Sequence, residues 1–247
     1  MRKKFKIGLL ATIDSPLLPQ IINSLLLKSL NDIVVICDKK TMSKKDKNIW
    51  HERTNGQFSS SKKWNPDIFS FENEYIPYYF VNNHNSISTI EIINSLDIDI
   101  LVNAGTPRKL LKEVLSATFY GVLNIHPGVL PRYRGCSAVE WAIFNDDKVG
   151  NTAHIMSEDY DGGPVIEIET YNFPKDSDYV SIRSEIYARG FEMTGKILKK
   201  IYLKEIKTRD FCAQDESEAM YWKPIPEPKF KVVVDKLSAG NYVYQNA

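Results

Sequence analysis

The sequence is poor in cysteine and histidine and almost balanced in charge. Its 247 residues include three cysteines, Cys37, Cys136 and Cys212, and four histidines. Three scattered cysteines do not make a disulfide framework, and this usage is typical of the reducing cytoplasm. The formal net charge is +1, so no overall field draws the chain to nucleic acid or to a membrane surface. A partner as large and anionic as tRNA is therefore disfavoured.

Long apolar stretches are also missing. No segment approaches the ~18 consecutive apolar residues that a membrane-spanning helix needs. The basic N-terminus leads into a short apolar run over 7–11, and Asp14 follows, which indicates a first strand and not a secretory signal. We therefore expect a cytoplasmic protein with no membrane partner. No Cys or His spacing suggests a metal site.

Glycine is absent from the turn after the first predicted strand. Residues 12–16, which lead into the first predicted helix, read Thr-Ile-Asp-Ser-Pro. Dinucleotide-binding folds place a glycine-rich loop at this point, because the backbone must approach a phosphate closely. This turn is therefore not predicted to bind a phosphate.

Apolar patterning predicts alternating strands and helices through most of the chain. A strand over 5–11, a helix over 17–30 and a strand over 32–37 form a right-handed βαβ unit, which favours a parallel sheet. Further strands are predicted over 76–81, 99–104, 122–125, 151–156 and 164–171, and further helices over 86–95, 110–115, 137–144 and 177–206. The predicted fold class is α/β, with a mostly parallel sheet flanked by helices.

The pattern divides the chain into a main domain and an extension. Residues 1–209 carry the regular elements, whereas residues 210–247 form a short proline-rich extension with a predicted strand at 231–235. Such a strand could pair across a two-fold axis. Segment 39–75 is polar, with eight Lys or Arg and two acids between residues 39 and 63, and is predicted to be a solvated loop or a short helix.

Two polar motifs lie where predicted strands end. The strand over 122–125 carries Asn124 and leads into His126, and the two side chains project to one face. The second motif, Ser157-Glu-Asp-Tyr-Asp-Gly-Gly-Pro164, carries Asp161 in a loop between strands. Ligands of open α/β sheets bind beyond the carboxyl ends of strands, so an amide, an imidazole and a carboxylate could share one pocket. By spacing alone, such motifs are more often a capping pair and a turn.

Together the two motifs resemble a family signature. Asn124-x-His126-Pro-Gly-x-Leu-Pro-x-Tyr-x-Gly135, followed by Asp161-Gly-Gly-Pro-x-Ile166, is similar to the signature of the folate-dependent formyltransferases. The resemblance is sharpest over residues 101–166. It implies a Rossmann-like formyltransferase fold, a formyl group donated by 10-formyltetrahydrofolate, an amine that accepts it, and no metal.

The resemblance also implies residue roles. Asn124 would donate a hydrogen bond to the oxyanion, His126 would move a proton, and Asp161 would orient the imidazole or take the amine proton. Whether His126 or Asp161 is the base stays open. The implied folate contacts are Arg108, Lys109, Leu110, Asp159 and Tyr160. Among the other histidines, His84 is expected to be exposed and His154 to be a core residue.

Three subfamilies share the signature, and the chain is most similar to the sugar N-formyltransferases. Glycinamide ribonucleotide formyltransferases have a phosphate loop that residues 12–16 do not match. Methionyl-tRNA formyltransferases resemble segment 214–221 but have a further C-terminal domain. The implied acceptor is a nucleoside-diphosphate-linked amino-deoxy sugar of the dTDP-4-amino-4,6-dideoxyglucose type, used for bacterial surface glycan or O-antigen synthesis, and the implied assembly is a homodimer. The candidate acceptor contacts are Arg132, Arg134, Tyr221, Trp222 and Lys223.

Three alternatives stay open. In a formyltetrahydrofolate hydrolase the same three residues would act on a water molecule that takes the place of the amine and releases formate. In a nucleotide-sensing module they would only recognise a ligand. Tyr221 and Trp222 could either stack on a nucleotide base or only anchor the tail to the core.

Overall fold

The computed structural model describes residues 5–58, 64–65, 70–71 and 74–246. The predicted α/β fold is confirmed, with a mostly parallel sheet flanked by helices. The strands are β1 (Ile7–Thr12), β2 (Ile33–Asp38), β3 (Trp64–Asn65), β4 (Ser70–Phe71), β5 (Glu74–Tyr75), β6 (Tyr78–Val81), β7 (Ile100–Asn103), β8 (Val122–His126), β9 (Arg134–Gly135), β10 (Gly150–Ile155), β11 (Val165–Thr170) and β12 (Tyr221–Trp222). The helices are α1 (Leu17–Leu27), α2 (Lys44–Thr54), α3 (Ile87–Ser95), α4 (Lys112–Leu115), α5 (Ala138–Phe144), α6 (Tyr179–Tyr202) and α7 (Glu227–Ser238).

Seven strands form the main sheet in the order β11-β10-β8-β7-β1-β2-β6. Strands β8, β7, β1, β2 and β6 are parallel, whereas β10 pairs antiparallel with both β8 and β11. The chain builds outward from β1 to β2 and β6, then crosses to β7 and β8, so the direction of winding reverses between β1 and β7. Ligands of such sheets bind beyond the carboxyl ends of strands at this reversal, which is where β7 ends.

Helices cover both faces of the sheet. Ile7 and Leu9 of β1 pack on the face that α1 and α6 cover, while Leu10 packs on the face of α3 and α4. Strands β1 and β2 are buried along their whole length. Strands buried on both faces read as continuous apolar runs, which is why the sequence pattern predicts them well.

Helix α6 lies very close to α1. At Gly195 a Cβ atom would lie 2.5 Å from Ser24 Oγ and 2.8 Å from the Ser24 carbonyl oxygen, so a residue without a side chain is needed there. Helix α6 has 24 residues. Among the described residues, no helix combines the length and the apolar character needed to cross a bilayer.

The basic segment contains a helix. Helix α2 begins after Ser43, whose Oγ accepts a hydrogen bond from the Asp46 N–H over 3.1 Å. The three short strands β3, β4 and β5 pair antiparallel after it. The remaining residues of segment 39–75 at positions 59–63, 66–69 and 72–73 lie outside the described residues.

The predicted strand at 231–235 is wrong, because these residues lie within α7. Three consecutive valines indicate a strand, but Val233 and Leu237, one helical turn apart, are the two that pack into the core. Lys231 and Asp235 form an ion pair along the exposed side of the same helix. The short strand of the extension is β12, which pairs in parallel with β9 of the same chain.

Candidate active site

Three neighbouring strands bring polar side chains together. Asn103 ends β7, Asn124 lies in β8, and the antiparallel register places His154 of β10 opposite Asn124. Asn103 Nδ2 donates to Asn124 Oδ1 over 2.9 Å, and Asn124 Nδ2 lies 3.0 Å from His154 Nε2. These two bonds fix the orientation of the Asn124 amide. One N–H of its NH2 group faces His154, and the second can bind an oxygen atom of a ligand.

His126, at the end of β8, lies against Asp161. His126 is 5% exposed, and its Nδ1 lies 3.4 Å from Asp161 Oδ1. The same oxygen lies 3.8 Å from His154 Nε2, the partner of Asn124. The second oxygen, Oδ2, accepts a hydrogen bond from the Gly135 N–H over 2.8 Å. The structure therefore gathers Asn124, His126 and Asp161 in one cluster, while their catalytic roles remain predictions.

The hydrogen bonds of His126 assign its two nitrogens. Nε2 lies 2.6 Å from the Tyr133 carbonyl oxygen. A carbonyl oxygen only accepts, so Nε2 carries a proton. In the neutral ring Nδ1 is then the unprotonated nitrogen, and this is the nitrogen that faces Asp161. Any proton that His126 gains or loses is therefore exchanged on the Asp161 side.

His154 is buried as expected, but it is part of the site. It is 1% exposed, and burial, followed by the nearby charge of His126, lowers the pKa of His154 to about 4. A neutral ring with its proton on Nδ1 can accept the Asn124 N–H at Nε2, which is the observed contact. The sequence shows only a strand histidine, because its partner depends on the β8–β10 register. His84, by contrast, is not exposed as expected: it is buried, with Nε2 3.0 Å from the Ile36 carbonyl oxygen.

The five residues implied for the folate site line one cavity of about 340 Å³ next to this cluster. Asn124, His154 and Asp161 line the same cavity. The implied set is Arg108, Lys109, Leu110, Asp159 and Tyr160. Two of these residues contact each other: the Lys109 ammonium lies 4.9 Å from the centre of the Tyr160 ring.

Arg108 is held at the edge of this cavity by the end of β2. Its Nε donates to Asp38 Oδ2 over 2.6 Å, and its Nη2 donates to the Asn82 carbonyl oxygen over 3.0 Å. Burial alone would raise the pKa of Asp38, but the hydrogen bonds from Arg108 and from the Lys40 N–H hold it below its ordinary value. The Arg108 guanidinium is therefore tied to the end of β2.

A larger cavity, of about 1120 Å³, is lined by His126. The walls come from α2, from the start of α5, from the start of α6 and from the extension, including Pro224, Ile225 and Phe230 of the segment around α7. His126 thus lines the larger cavity, and its neighbour Asp161 lines the smaller one.

The candidate acceptor contacts lie beside the larger cavity and not among its lining residues. The Arg134 guanidinium donates to Gln214 and to Glu216 in the extension, and Arg132 forms an ion pair with Asp147 at 3.1 Å. Trp222 stacks against two rings, Tyr133 at 5.8 Å and Trp141 at 4.5 Å between ring centres, and its Nε1 donates to the Arg132 carbonyl oxygen. Tyr221 is 59% exposed. Lys223 is also exposed.

Among the described residues, no group of three or more His, Cys, Asp or Glu side chains is arranged to hold a metal ion. The fold and the site together define an α/β protein in which an amide, an imidazole and a carboxylate cluster next to two cavities. The chain belongs to the formyl transferase family, whose family model matches residues 5–190.

The relatives differ in acceptor. A methionyl-tRNA formyltransferase from Sulfurihydrogenibium sp. (strain YO3AOP1) is 30% identical over 157 residues, which cover 63% of this chain and 49% of that protein. The chain thus spans about half the length of the curated relatives it matches. A sugar N-formyltransferase from Shewanella sp. FDAARGOS_354 has a TM-score of 0.62 at 13% identity, covering 94% of this chain and 87% of that one. WlaRD, a sugar 3N-formyl transferase solved with dTDP and 5-N-formyl-THF, has a TM-score of 0.60 at 16% identity, covering 98% and 79%.

Proposed function

We propose that this protein transfers a formyl group from 10-formyltetrahydrofolate to the amine of a nucleoside-diphosphate-linked amino-deoxy sugar, of the dTDP-4-amino-4,6-dideoxyglucose type, for a bacterial surface glycan such as O-antigen. One observation carries the proposal. His126 and Asp161 lie 3.4 Å apart and line two different cavities, which suits a group that passes from one ligand to another. The folate would occupy the smaller cavity and the acceptor the larger.

In this reaction the amine nitrogen attacks the formyl carbon, and a tetrahedral intermediate forms. The second N–H of Asn124 Nδ2 is suited to bind the oxyanion, a contact of about 3 kcal/mol in comparable sites. The intermediate then collapses: the bond between the formyl carbon and the folate nitrogen breaks, and that nitrogen takes the proton that the attacking amine has given to the pair of Asp161 and His126.

The proton of the attacking amine would go to Asp161. Its carboxylate is 17% exposed, against 6% for the His126 side chain, so it is the more accessible of the two. As the neutral ring offers Nδ1 to Asp161, His126 can receive this proton in turn or stabilise the carboxylate when the ring is protonated. This order of events makes Asp161 the first base and His126 its partner.

The acceptor class rests on the larger cavity and on the fold. Its volume of about 1120 Å³ exceeds that of most small-molecule sites, which are roughly 300–1000 Å³, and so suits a nucleotide sugar. Two structural relatives are described as sugar formyltransferases, one of them solved with dTDP. The second candidate is transfer to methionyl-tRNA, which the sequence relatives name. The net charge of +1 disfavours it, because a tRNA partner is recruited by basic surfaces.

The test is an assay of the full chain with 10-formyltetrahydrofolate and a panel of amines. The panel contains thymidine- and uridine-diphosphate-linked amino sugars, glycinamide ribonucleotide and methionyl-tRNA. Tetrahydrofolate that appears only with an amino sugar, together with the formylated sugar by mass spectrometry, supports the proposal. Formylation of methionyl-tRNA or of glycinamide ribonucleotide instead contradicts it, and formate released without any amine indicates a hydrolase.

A further inference from the structure

A buried carboxylate on the wall of the larger cavity has an unused oxygen. Glu140, in the first turn of α5, is 1% exposed. Its Oε1 accepts a hydrogen bond from the Tyr179 hydroxyl over 2.7 Å and lies 3.6 Å from Arg53 Nε and 3.7 Å from Arg183 Nε. Its Oε2 is buried and has no hydrogen-bond partner among the described residues. Buried acceptors of this kind are rarely left unpaired, because each has lost its water.

Glu140 lines the same cavity as His126. Arg53, Glu140, Tyr179 and Arg183 are all lining residues of that cavity. Two further lining residues carry a buried donor with no hydrogen-bond partner among the described residues: Trp50 on α2, through its indole Nε1, and Arg183 on α6, through its Nε. One unpaired acceptor and two unpaired donors on residues of a single cavity suit a polar ligand that both donates and accepts hydrogen bonds.

The charges around Glu140 define the chemistry of that ligand. Burial raises the pKa of Glu140, but the charges of Arg183 and Arg53 and the hydrogen bond from Tyr179 bring it below its ordinary value, so the group is a carboxylate. A phosphate oxygen would be repelled at Oε2. An ammonium would gain little, because two guanidiniums already compensate the carboxylate. A neutral donor, the hydroxyl of a sugar, satisfies Oε2 without either cost.

We propose that Glu140 is a specificity-determining residue that accepts a hydrogen bond from a hydroxyl group of the sugar acceptor at Oε2. The proposal rests on the proposed function, since it names the part of the acceptor that the larger cavity recognises. It also separates two regions of the acceptor: the hydroxylated ring lies against α5, and the anionic diphosphate lies away from Glu140.

The experiment measures binding without turnover. Isothermal titration calorimetry, with no folate present, gives the Kd of dTDP-4-amino-4,6-dideoxyglucose and of its 2-deoxy and 3-deoxy counterparts. The proteins are the wild-type chain, Glu140→Gln and the matched control Glu52→Gln, an exposed glutamate on the same cavity wall. A hydrogen bond to a charged acceptor predicts that the wild-type chain binds the parent sugar about 10- to 100-fold more tightly than one deoxy counterpart.

Glu140→Gln is expected to reduce that ratio below about 5-fold, because a neutral hydrogen bond replaces a charged one. Glu52→Gln is expected to keep the wild-type ratio. Equal Kd values for the parent and both deoxy sugars in the wild-type chain overturn the proposal. An unchanged ratio in Glu140→Gln overturns it as well.

Failure of the proposed function can be distinguished from failure of the role proposed for Glu140. The wild-type chain could discriminate the hydroxyl group and Glu140→Gln could lose this discrimination while no amino sugar is formylated. That result would support the role of Glu140 in binding and contradict the proposed transfer reaction. If no sugar ligand binds the wild-type chain, both proposals fail. Should Glu140→Gln unfold because Arg53 and Arg183 lose their counter-charge, the double variant Glu140→Gln/Arg53→Gln, which removes the more exposed of the two arginines, takes its place in the same measurement.

Discussion

Gln214 of the extension donates a hydrogen bond from Nε2 to the backbone carbonyl oxygen of Asp161 over 2.7 Å. The same nitrogen donates to the Gly163 carbonyl oxygen, also over 2.7 Å, while Gln214 Oε1 accepts from the Arg134 guanidinium. Asp161 has a φ of +54°, a left-handed conformation that most residues avoid. The extension therefore helps to hold the candidate catalytic carboxylate in a strained backbone position.

Replacing Gln214 tests this positioning role. We expect Gln214→Ala to lower kcat about 10- to 100-fold with little change in KM for the folate, because a small displacement of Asp161 spoils its alignment. Steady-state kinetics of formyl transfer measure both constants. Asp215→Asn is the control, since this neighbour is exposed and its side chain accepts hydrogen bonds from Ser217, away from Asp161. An equal loss in both variants, or none in Gln214→Ala, contradicts the role.

The paired groups His126 and Asp161 are expected to be essential. His126→Asn and Asp161→Asn should each lower kcat at least about 1000-fold, because proton transfer and the charge next to the reacting centre are both lost. Asparagine tolerates the left-handed backbone at position 161, so the loop should keep its conformation. Circular dichroism and thermal unfolding check that both variants are folded. Near-normal kcat in either variant would show that the group does not act in catalysis.

The lowered pKa of His154 predicts that the free energy of unfolding depends on pH. Its pKa is about 4 in the folded protein and 6.5 when unperturbed, so between these values the unfolded chain binds more protons. Its stabilising contribution is therefore complete above pH ~6.5 and is lost as the pH falls toward 4, by about 2 kcal/mol between pH 7 and pH 5. Urea unfolding of the wild-type chain and of His154→Gln at both pH values measures it. Parallel pH dependence in the two proteins would refute this assignment.

Trp222 lies between two aromatic rings, and its substitution separates packing from binding. Trp222→Ala should lower the free energy of unfolding by about 3 kcal/mol, through the loss of stacking on Tyr133 and Trp141. Trp222→Phe keeps most of that packing but removes the indole. The sequence-based prediction is that Trp222→Ala raises KM for the nucleotide sugar more than it changes kcat, and Trp222→Phe, which can still stack on a base, is expected to raise it less. An unchanged KM in Trp222→Ala assigns the residue to packing alone.

Local patterns predict much of this molecule because each depends on neighbours along the chain. The buried strands are visible in the sequence as apolar runs. The cap of α3 is also local, because Ser86 Oγ accepts a hydrogen bond from the N–H of Thr89, three residues further along the chain. At α7 the local pattern gives the wrong prediction. The three valines favour a strand, but the surface that Val233 and Leu237 cover is made by α5 and α6, which the local sequence does not reveal.

The sequence by itself determined the α/β order of elements, which follows from periodicity, and it singled out Asn124, His126 and Asp161 as candidate site residues, because they lie in two short motifs at strand ends. Only the tertiary structure decided that His154 faces Asn124, that Gln214 holds the Asp161 loop, and that Glu140 meets Arg53 and Arg183. Each of these contacts joins residues about 30 to more than 80 positions apart. Strand register and helix packing set such distances, and both result from the burial of the whole apolar surface at once.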